Sequence, residues 1–458
     1  MRTFDAIIIG AGQAGPPLAA RFAAEGRKVA LIERHQVGGT CVNTGCTPTK
    51  TMVASARAAH VARRAADFGV DIGGGISVDM KRVQARTAEI AGASRSGLES
   101  WLSGLDNVTL LRGHARFIGP DRVALDDELL TAPKIFINVG GRAAIPDIEG
   151  LSDIPYLTNS DMVGLDRLPA HLLVLGGSYI GLEFAQMFAR FGSKVTVVER
   201  GAHLIGREDP EVSEAVRGFL EDEGITVMTG AECIRVERGG DGIVMHADCD
   251  GETRTATGSD LLVALGRKPN TDDLGLDKAG VATDDRGFVT VGSGLETSQP
   301  GIFALGDCNG RGAFTHTAYN DYEIVAANLF DGESRSIDDR IPGYALYTDP
   351  PLGRAGMSET EAKKAGHSVA VSSRPMTNVS RAKEKGETAG LMKLIADADT
   401  GKLLGGAILG PGGDEAIHAV LNLINMGATA KDLQWAVPIH PTVSELLPTL
   451  AGGLQPVR

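Results

Sequence analysis

The 458-residue sequence has little cysteine, no excess of positive charge and no long apolar run. Five cysteines in a chain of this length are too few for a disulfide-stabilised scaffold. The formal net charge of -13 disfavours a nucleic-acid binder that neutralises phosphates. The chain starts without a signal-peptide pattern, and no apolar run reaches the about 20 residues of a transmembrane helix. We therefore expect a globular cytoplasmic protein with neither a nucleic acid nor a membrane as its partner.

Glycine is abundant, and the first glycine cluster has the pattern of a dinucleotide-binding turn. Residues 10–15 read G-x-G-x-x-G, between strand-like apolar runs at 4–9 and 29–33, with an alanine-rich helical stretch before the second run. In this βαβ context the bare backbone holds a pyrophosphate at the helix N-terminus, and an acid at the end of the second strand accepts from a ribose hydroxyl. The residues that fit these roles are Gly10, Gly12, Gly15 and Glu33.

The pattern occurs a second time. A strand at 171–175, the turn at 176–181 and a strand at 194–199 follow one another, and Gly176 and Glu199 are 23 residues apart, as are Gly10 and Glu33. This internal repeat predicts two dinucleotide sites, although a duplicated scaffold with one working site is the alternative. Ser178 replaces the middle glycine, and its hydroxyl can bond a phosphate oxygen. The predicted contacts are Gly176, Ser178, Tyr179, Ile180, Gly181, Glu199, Arg200 and, from a later turn, Gly266.

Cys41 and Cys46 are separated by four residues in a glycine-containing turn. They can pair only if the backbone bends sharply, which Gly45 permits. A helix beginning near Thr47 would lower a thiolate pKa, and Pro48 suits its first turn. Two unrelated buried cysteines are an alternative. Half of a zinc site is disfavoured, because no second close Cys/His pair has metal-ligand spacing, so we expect no metal site.

The stretch from Gly38 to Lys50 resembles the flavin-dependent pyridine nucleotide-disulfide oxidoreductases, which include dihydrolipoamide dehydrogenase, glutathione reductase and mercuric reductase. The resemblance implies that Cys41 and Cys46 form a redox-active disulfide, with Cys46 next to the flavin and Cys41 exchanging with substrate. It also implies that Lys50 and Glu183 form an ion pair at the flavin nitrogen that receives hydride. By the same resemblance, Tyr179 covers the flavin until the nicotinamide displaces it.

The resemblance further implies that the first cofactor is FAD and the second a nicotinamide nucleotide. Asp307 would bond the ribityl chain, and the helix that opens near Phe314 would point at the pyrimidine edge of the flavin. A carboxylate at Glu199 favours the free 2′-hydroxyl of NADH, whereas the neighbouring Arg200 leaves NADPH possible. The predicted FAD contacts are Gly10, Gly12, Gly15, Glu33, Thr40, Lys50, Ala115, Gly140, Asp307, Thr315 and Thr317.

The predicted fold is α/β, with two Rossmann-like dinucleotide-binding domains and a C-terminal α+β dimerisation domain. We place an FAD-binding domain at 1–146 and 271–341, a nucleotide-binding domain at 147–270 and a dimerisation domain at 342–458. Residues 107–117 are predicted to form one strand of the first domain. The resemblance covers essentially the whole chain and implies a homodimer.

Near the C-terminus, Thr442-x-x-Glu445 has the pattern of a helix capping box. The resemblance to the disulfide reductases implies that His440 and Glu445 form an acid-base dyad, which reaches into the active site of the partner subunit. A histidine oriented by a carboxylate suits thiol-disulfide exchange, and both roles are compatible.

The electron acceptor is the least determined part of the function. A small disulfide such as lipoamide is our first choice, because residues 454–458 contain no cysteine pair like that of the mercuric reductases. A metal ion, Hg(II) or Cu(II), is the second choice. A redox-sensing flavoprotein that signals through its disulfide without turnover is a third hypothesis.

Overall fold

The computed structural model describes residues 1–240, 242–249 and 251–457. Its contacts divide the chain into two compact units. The first unit contains Met1–Met52, Lys81–Ala144 and Gly266–Arg340, and the second contains Val53–Met80, Ile145–Leu265 and the chain from Ile341 onward. The finer division into four domains stays a prediction.

The first third of the chain forms most of the first unit. Its helices and strands are β1 (Arg2–Thr3), β2 (Ala6–Ile9), α1 (Gly15–Ala24), β3 (Val29–Glu33), α2 (Gly39–Asn43), α3 (Cys46–Arg63), α4 (Met80–Ser103), β4 (Val108–Arg112), β5 (Ala115–Gly119), β6 (Arg122–Leu125), β7 (Glu128–Thr131), β8 (Ile135–Ile137) and β9 (Gly141–Ala143).

The middle of the chain forms the second nucleotide-type module and then returns to the first unit. Its helices and strands are α5 (Asn159–Met162), β10 (His171–Leu175), α6 (Tyr179–Phe191), β11 (Lys194–Val198), α7 (Pro210–Asp222), β12 (Thr226–Met228), β13 (Ala231–Gly239), β14 (Gly242–Cys249), β15 (Glu252–Gly258), β16 (Asp260–Val263), β17 (Arg267–Pro269), α8 (Leu276–Ala279), β18 (Ile302–Ala304) and α9 (Thr315–Phe330).

The last part of the chain is a mixed α+β region. It consists of β19 (Gly343–Leu346), β20 (Leu352–Gly356), α10 (Glu359–Lys364), β21 (Val369–Pro375), α11 (Ser380–Glu384), β22 (Leu391–Asp397), β23 (Leu403–Leu409), α12 (Gly413–Asn425), α13 (Ala430–Gln434), α14 (Leu447–Gly452) and β24 (Gln455–Pro456).

Each unit contains one parallel sheet of the doubly wound type. In the first unit the strand order is β18-β8-β2-β3-β4, and in the second it is β12-β11-β10-β16. Along β2, Ile7 and Ile9 pack into one apolar cluster while Ala6 and Ile8 pack into another, because successive side chains point to opposite faces. The sheet is therefore covered on both faces, as parallel sheets generally are. The last region instead has a six-stranded antiparallel sheet, ordered β19-β20-β23-β22-β21-β24.

The fold class predicted from the sequence is confirmed, whereas the single strand at 107–117 is wrong. The chain forms β4 in the parallel sheet and β5 in a separate sheet ordered β1-β7-β6-β5. Gly113 between them has a φ of 143°, which turns the chain away at a conformation that glycine tolerates. The helix predicted to begin near Thr47 begins at Cys46 and ends at Arg63, before a short 3₁₀ turn.

Candidate active site

The first glycine turn is tightly packed against the end of β8. A Cβ added at Gly10 would lie 2.2 Å from the carbonyl oxygen of Asn138, and one at Gly15 would lie 2.4 Å from the carbonyl oxygen of Gly10. Both glycines are therefore required by the protein itself. Gly12 differs, because a Cβ there would make only an ordinary contact, 3.5 Å from Nδ2 of Asn138. Glycine at this position leaves bare backbone open to an external group, which fits the pyrophosphate of FAD.

In each glycine turn, a glutamate carboxylate accepts hydrogen bonds from two backbone amides. Glu33 accepts from the amide of Ala11 at 2.9 Å and from that of His35 at 2.8 Å. Glu199 likewise accepts from the amides of Gly177 and Gly201, each at 2.6 Å. Each carboxylate oxygen retains a lone pair for a ribose hydroxyl. The repeat seen in the sequence therefore extends to its hydrogen bonds.

The second turn departs from the first at its middle position. A Cβ at Gly176 would meet the carbonyl oxygen of Ala264 at 2.5 Å, and one at Gly181 would meet that of Gly176 at 2.0 Å. Ser178 is the N-cap residue of α6, but its hydroxyl makes no capping hydrogen bond. That hydroxyl is thus suited to a phosphate oxygen. Tyr179 and Ile180 open α6 and are partly exposed, Arg200 is exposed, and Gly266 belongs to the first unit.

The cysteine turn depends on a close backbone approach. Cys41 lies in α2 and Cys46 is the first residue of α3. A Cβ at Gly45 would lie 2.8 Å from the carbonyl oxygen of Thr40 and 3.3 Å from Cα of Cys41. We expected Gly45 for its conformational freedom, but its φ is not left-handed. Glycine is needed because a side chain would push the two cysteine-bearing segments apart.

The two cysteines have different surroundings. Cys46 is exposed, with Sγ 3.4 Å from Oγ1 of Thr315, whereas Cys41 is half-buried. The Cys41 pKa lies far above its usual value because its thiol is hydrogen-bonded to Cys46, because it is buried, and because charge on Cys46 opposes its ionisation. Thr315 and Lys50 act in the opposite direction. The lowered thiolate pKa expected from the helix does not apply to Cys41.

Several predicted FAD contacts lie together in the first unit. Asp307 is in the 3₁₀ turn Gly306–Asn309; burial raises its pKa, and Arg267 opposes this by donating Nε to the carboxylate at 3.2 Å. Thr315 begins α9, while the hydroxyl of Thr317 accepts from the Phe314 amide at 3.1 Å, which is local capping. The remaining residues have these positions: Ala115 begins β5 and is buried, Gly140 has a φ of 63°, and Thr40 is exposed in α2.

Two residues that stabilise this region were not predicted. Asn138 donates Nδ2 to the carbonyl of Gly10 at 2.9 Å, and Asp321 accepts from the amide of Gly306 at 2.8 Å. Asn138 is a polar residue directly after the apolar strand β8, which is a signal the sequence contained. Asp321 lies inside α9, where a carboxylate gives no such signal.

Lys50 and Glu183 lie in different units. Lys50 is one turn beyond Cys46 on α3, and its charge favours ionisation of Cys41. Glu183 is on α6, is 3% exposed, and accepts a hydrogen bond from the amide of Tyr347 at 3.0 Å. Their predicted ion pair stays a prediction.

His440 and Glu445 form both arrangements that the sequence allowed. Nδ1 of His440 is 2.8 Å from Oε2 of Glu445, and the histidine side chain is 75% exposed whereas the glutamate is 12% exposed. The amide of Glu445 also donates to Oγ1 of Thr442 at 3.2 Å, and the Thr442 amide approaches Oε2 of Glu445 at 3.4 Å. The carboxylate therefore orients an exposed imidazole and caps the turn at once.

The described residues contain neither a metal-site cluster nor a membrane-spanning helix. No group of three or more His, Cys, Asp or Glu side chains there could hold a metal ion. Within the same ranges, no helix is long and apolar enough to cross a bilayer.

Comparison with known proteins identifies the class. Residues 4–321 match the family model of the pyridine nucleotide-disulphide oxidoreductases, and residues 342–451 match the model of their dimerisation domain. The chain belongs to this family, and its predicted class and oxidoreductase activity are confirmed. The family depends on FAD and a pyridine nucleotide.

Particular relatives differ in what their names say they act on. The chain is 36% identical to a dihydrolipoyl dehydrogenase of Thermus scotoductus over 99% of this chain and 98% of the relative. It is 32% identical to a mercuric reductase of Bacillus cereus over 96% of this chain and 70% of the relative. A solved Cu(II) complex of the HOCl-induced flavoprotein disulfide reductase RclA from Escherichia coli is also similar, at 33% identity and a TM-score of 0.89, covering 99% of both chains.

The raised Cys41 pKa predicts an unusual thiol reactivity. In the reduced protein at pH 8, Cys41 should react with iodoacetamide more slowly than the exposed Cys233, because only the thiolate attacks. Cys46→Ala removes the largest cause of the shift, so Cys41 should then react faster, on the order of tenfold for each pKa unit recovered. Mass spectrometry of each cysteine peptide measures both rates. A Cys41 rate unchanged by Cys46→Ala would contradict this electrostatic account.

Proposed function

We propose that the protein passes electrons from a reduced nicotinamide nucleotide through FAD to the Cys41–Cys46 disulfide, and then to a small disulfide of the lipoamide type. The observation that carries this proposal is the exposed His440 imidazole, held at 2.8 Å by Glu445, in a chain with a close cysteine pair. Proton transfer by an oriented histidine is what thiol-disulfide exchange requires. The resemblance to a dihydrolipoyl dehydrogenase over almost the full chain supports the same substrate class.

The reductive chemistry would take place between the two cysteines and the substrate. The Cys41 thiolate attacks one sulfur of the substrate disulfide, which forms a mixed disulfide and releases one substrate thiolate. Cys46 then attacks the Cys41 sulfur, which reforms the protein disulfide and releases the second thiolate. Two protons complete the two product thiols, so that two electrons and two protons are consumed for each substrate disulfide.

The high Cys41 pKa gives His440 a specific task. A half-buried thiol that holds its proton is a poor nucleophile, so a base must remove that proton before attack. We propose that His440 of the partner subunit is this base and that it later returns the proton to the departing thiolate. The apolar side chains beside it favour a covered surface, since Trp435, Val437 and Ile439 are 76%, 95% and 79% exposed. A homodimer would bury them.

The cofactors would occupy the two glycine turns. Bound FAD supplies two-electron transfer, with hydride arriving from the nicotinamide and electrons leaving to the disulfide. Lys50 and Glu183 would orient the site of hydride arrival, and Tyr179 would cover it. The proposed FAD contacts are Gly10, Gly12, Gly15, Glu33, Thr40, Lys50, Ala115, Gly140, Asp307, Thr315 and Thr317; those of the nicotinamide nucleotide are Gly176, Ser178, Tyr179, Ile180, Gly181, Glu199, Arg200 and Gly266.

A metal ion is the second candidate acceptor. The similar RclA was solved as a Cu(II) complex, and several relatives are named mercuric reductases. Cysteine sulfurs are suitable ligands for both Hg(II) and copper, and Cys46 is exposed.

An acceptor panel tests the function directly. Oxidation of NADH should be followed with lipoamide, glutathione disulfide, Hg(II) and Cu(II) as separate acceptors. We expect lipoamide to be turned over and Cys41→Ser to abolish this, while electron transfer from NADH to the flavin continues. Turnover of a metal ion without any disulfide would replace the first candidate by the second, and no turnover with any acceptor would favour a redox sensor.

Removing the histidine should separate the two halves of the reaction. His440→Ala should lower the rate with a disulfide acceptor, by about 10²–10⁴-fold for a lost general acid-base group, and leave flavin reduction by NADH unchanged. Rapid mixing resolves the two rates. In a verified heterodimer of His440→Ala and Cys46→Ser chains, one working site should return. Failure of that recovery would count against action across the subunit interface.

The carboxylate of Glu199 should decide the choice of nicotinamide nucleotide. It accepts hydrogen bonds from a 2′-hydroxyl and repels a 2′-phosphate, so we expect NADH to exceed NADPH in kcat/KM. Glu199→Gln keeps an acceptor for the Gly177 amide but removes the charge, which should narrow the difference by roughly tenfold, as expected for one charged hydrogen bond. Steady-state kinetics with both nucleotides measure this. A wild-type preference for NADPH would mean that the exposed Arg200 or another basic residue controls the pocket.

A further inference from the structure

One segment of the C-terminal region runs along the helix that carries Glu183. Glu183, Gln186 and Arg190 lie at positions i, i+3 and i+7 of α6, which places them on one face of the helix. All three are buried. Each bonds to the segment from Tyr347 to Asp349, between β19 and β20. The whole arrangement lies within the second unit.

Tyr347 and Asp349 are held to α6 by several hydrogen bonds. The Tyr347 amide donates to Glu183 at 3.0 Å, and the Asp349 amide donates to Gln186 at 2.8 Å. The Asp349 carbonyl accepts from Gln186 at 2.8 Å and from Arg190 at 3.0 Å, and its carboxylate accepts from Arg190 at 2.5 Å. Asp349 thus uses its amide, its carbonyl and its side chain to hold one helix face.

The other carboxylate oxygen of Asp349 binds a second helix. It accepts from Arg57 on α3, which also donates to Glu387 at 2.6 Å. Arg57 and Arg190 therefore converge on one carboxylate whose side chain is 11% exposed. Lys50 precedes Arg57 on α3 by seven residues, and Glu183 precedes Arg190 on α6 by seven, which is about two helical turns. Each helix thus has one predicted catalytic residue two turns before an arginine that binds Asp349.

We propose that Asp349 is a positioning residue for hydride transfer from the nicotinamide to the flavin. It fixes the segment whose Tyr347 amide holds the Glu183 carboxylate, and it anchors both helices that carry the predicted pair. This rests on the role proposed above for Glu183. In that step a hydride leaves the reduced nicotinamide, which is oxidised, and reduces the flavin by two electrons. The disulfide exchange at Cys41 and Cys46 does not require Asp349.

Asp349→Asn in the holoenzyme separates positioning from general stability. We expect flavin reduction by NADH to slow on the order of tenfold, because small displacements of a positioned group are costly. The reaction of the reduced thiols with the chromogenic disulfide dithionitrobenzoate should stay within about twofold of wild type. Hydrogen exchange of the peptide containing the Tyr347 amide should become faster. Unchanged flavin reduction, or equal losses in both half-reactions, would overturn the proposal.

Two further variants make the result specific. Asp260→Asn is the matched control, because Asp260 is another buried carboxylate of this unit, held by Arg167 at 3.0 Å in β16. It should leave flavin reduction within about twofold of wild type, and an equal slowing there would overturn the proposal. If Asp349→Asn does not fold, Arg57→Gln is the substitute, because it removes one of the two arginines that bind Asp349 at a half-exposed site. It should also slow flavin reduction by NADH. Unchanged flavin reduction in this variant would overturn the proposal.

Glu183→Gln distinguishes this inference from the proposed function. If that variant reduces flavin at the wild-type rate, the role of Glu183 and the positioning by Asp349 are both wrong. If it slows flavin reduction and Asp349→Asn does not, only the positioning is wrong, and the proposed function stands.

Discussion

The close approach of Gly45 to the Thr40 carbonyl is the constraint on which the candidate redox centre depends. It brings the segment with Cys41 against the start of α3, where Cys46 lies, at a distance that a side chain would not allow. A second approach joins this turn to the cofactor turn, because a Cβ at Gly39 would lie 2.8 Å from Cα of Gly12. The cysteine turn and the first glycine turn are thereby parts of one packed structure. A side chain at Gly45 or Gly39 would therefore move the thiols relative to any cofactor held by the first glycine turn.

The two glycine turns share one arrangement of backbone and carboxylate. In each copy a glutamate at the end of the second strand accepts from the amide that follows the first glycine, so the acid stabilises the turn before any ligand binds. Such preorganisation lowers the cost of ordering the site on binding. The copies differ where ligand chemistry differs. Ser178 adds a hydroxyl to the second turn, where the first turn has Gly12, and Glu199 is partly exposed whereas Glu33 is buried. An exposed arginine follows the glutamate in both copies, as Arg34 and as Arg200.

Local patterns allowed much of this architecture to be predicted from the sequence. Strands 29–33 and 171–175 were predicted at the bounds observed, because apolar runs bounded by turn residues identify buried strands. The strand at 107–117 failed because periodicity does not reveal that Gly113 takes a left-handed φ. Nor could pattern reveal the bond between Glu183 and the Tyr347 amide, whose residues are 164 positions apart. The electrostatics of Cys41 likewise follow from three-dimensional neighbours, not from helix direction alone.

The protonation of the cysteine pair relates the cysteine turn to the proposed role of His440. A thiol hydrogen bond between the two sulfurs stabilises the state in which one proton is shared and opposes the loss of the second. In the proposed reaction the reduced pair would hold two electrons, and the charge of Lys50 would favour ionisation of Cys41. In the proposed reaction the protonated member of the pair could not attack the substrate unaided. Because the hydrogen bond between the sulfurs keeps a proton on the pair, the proposed reaction needs an external base. An exposed histidine oriented by a carboxylate, such as His440, is suited to that role. In the proposed reaction, the same hydrogen bond would both stabilise the reduced pair and make it dependent on a proton acceptor.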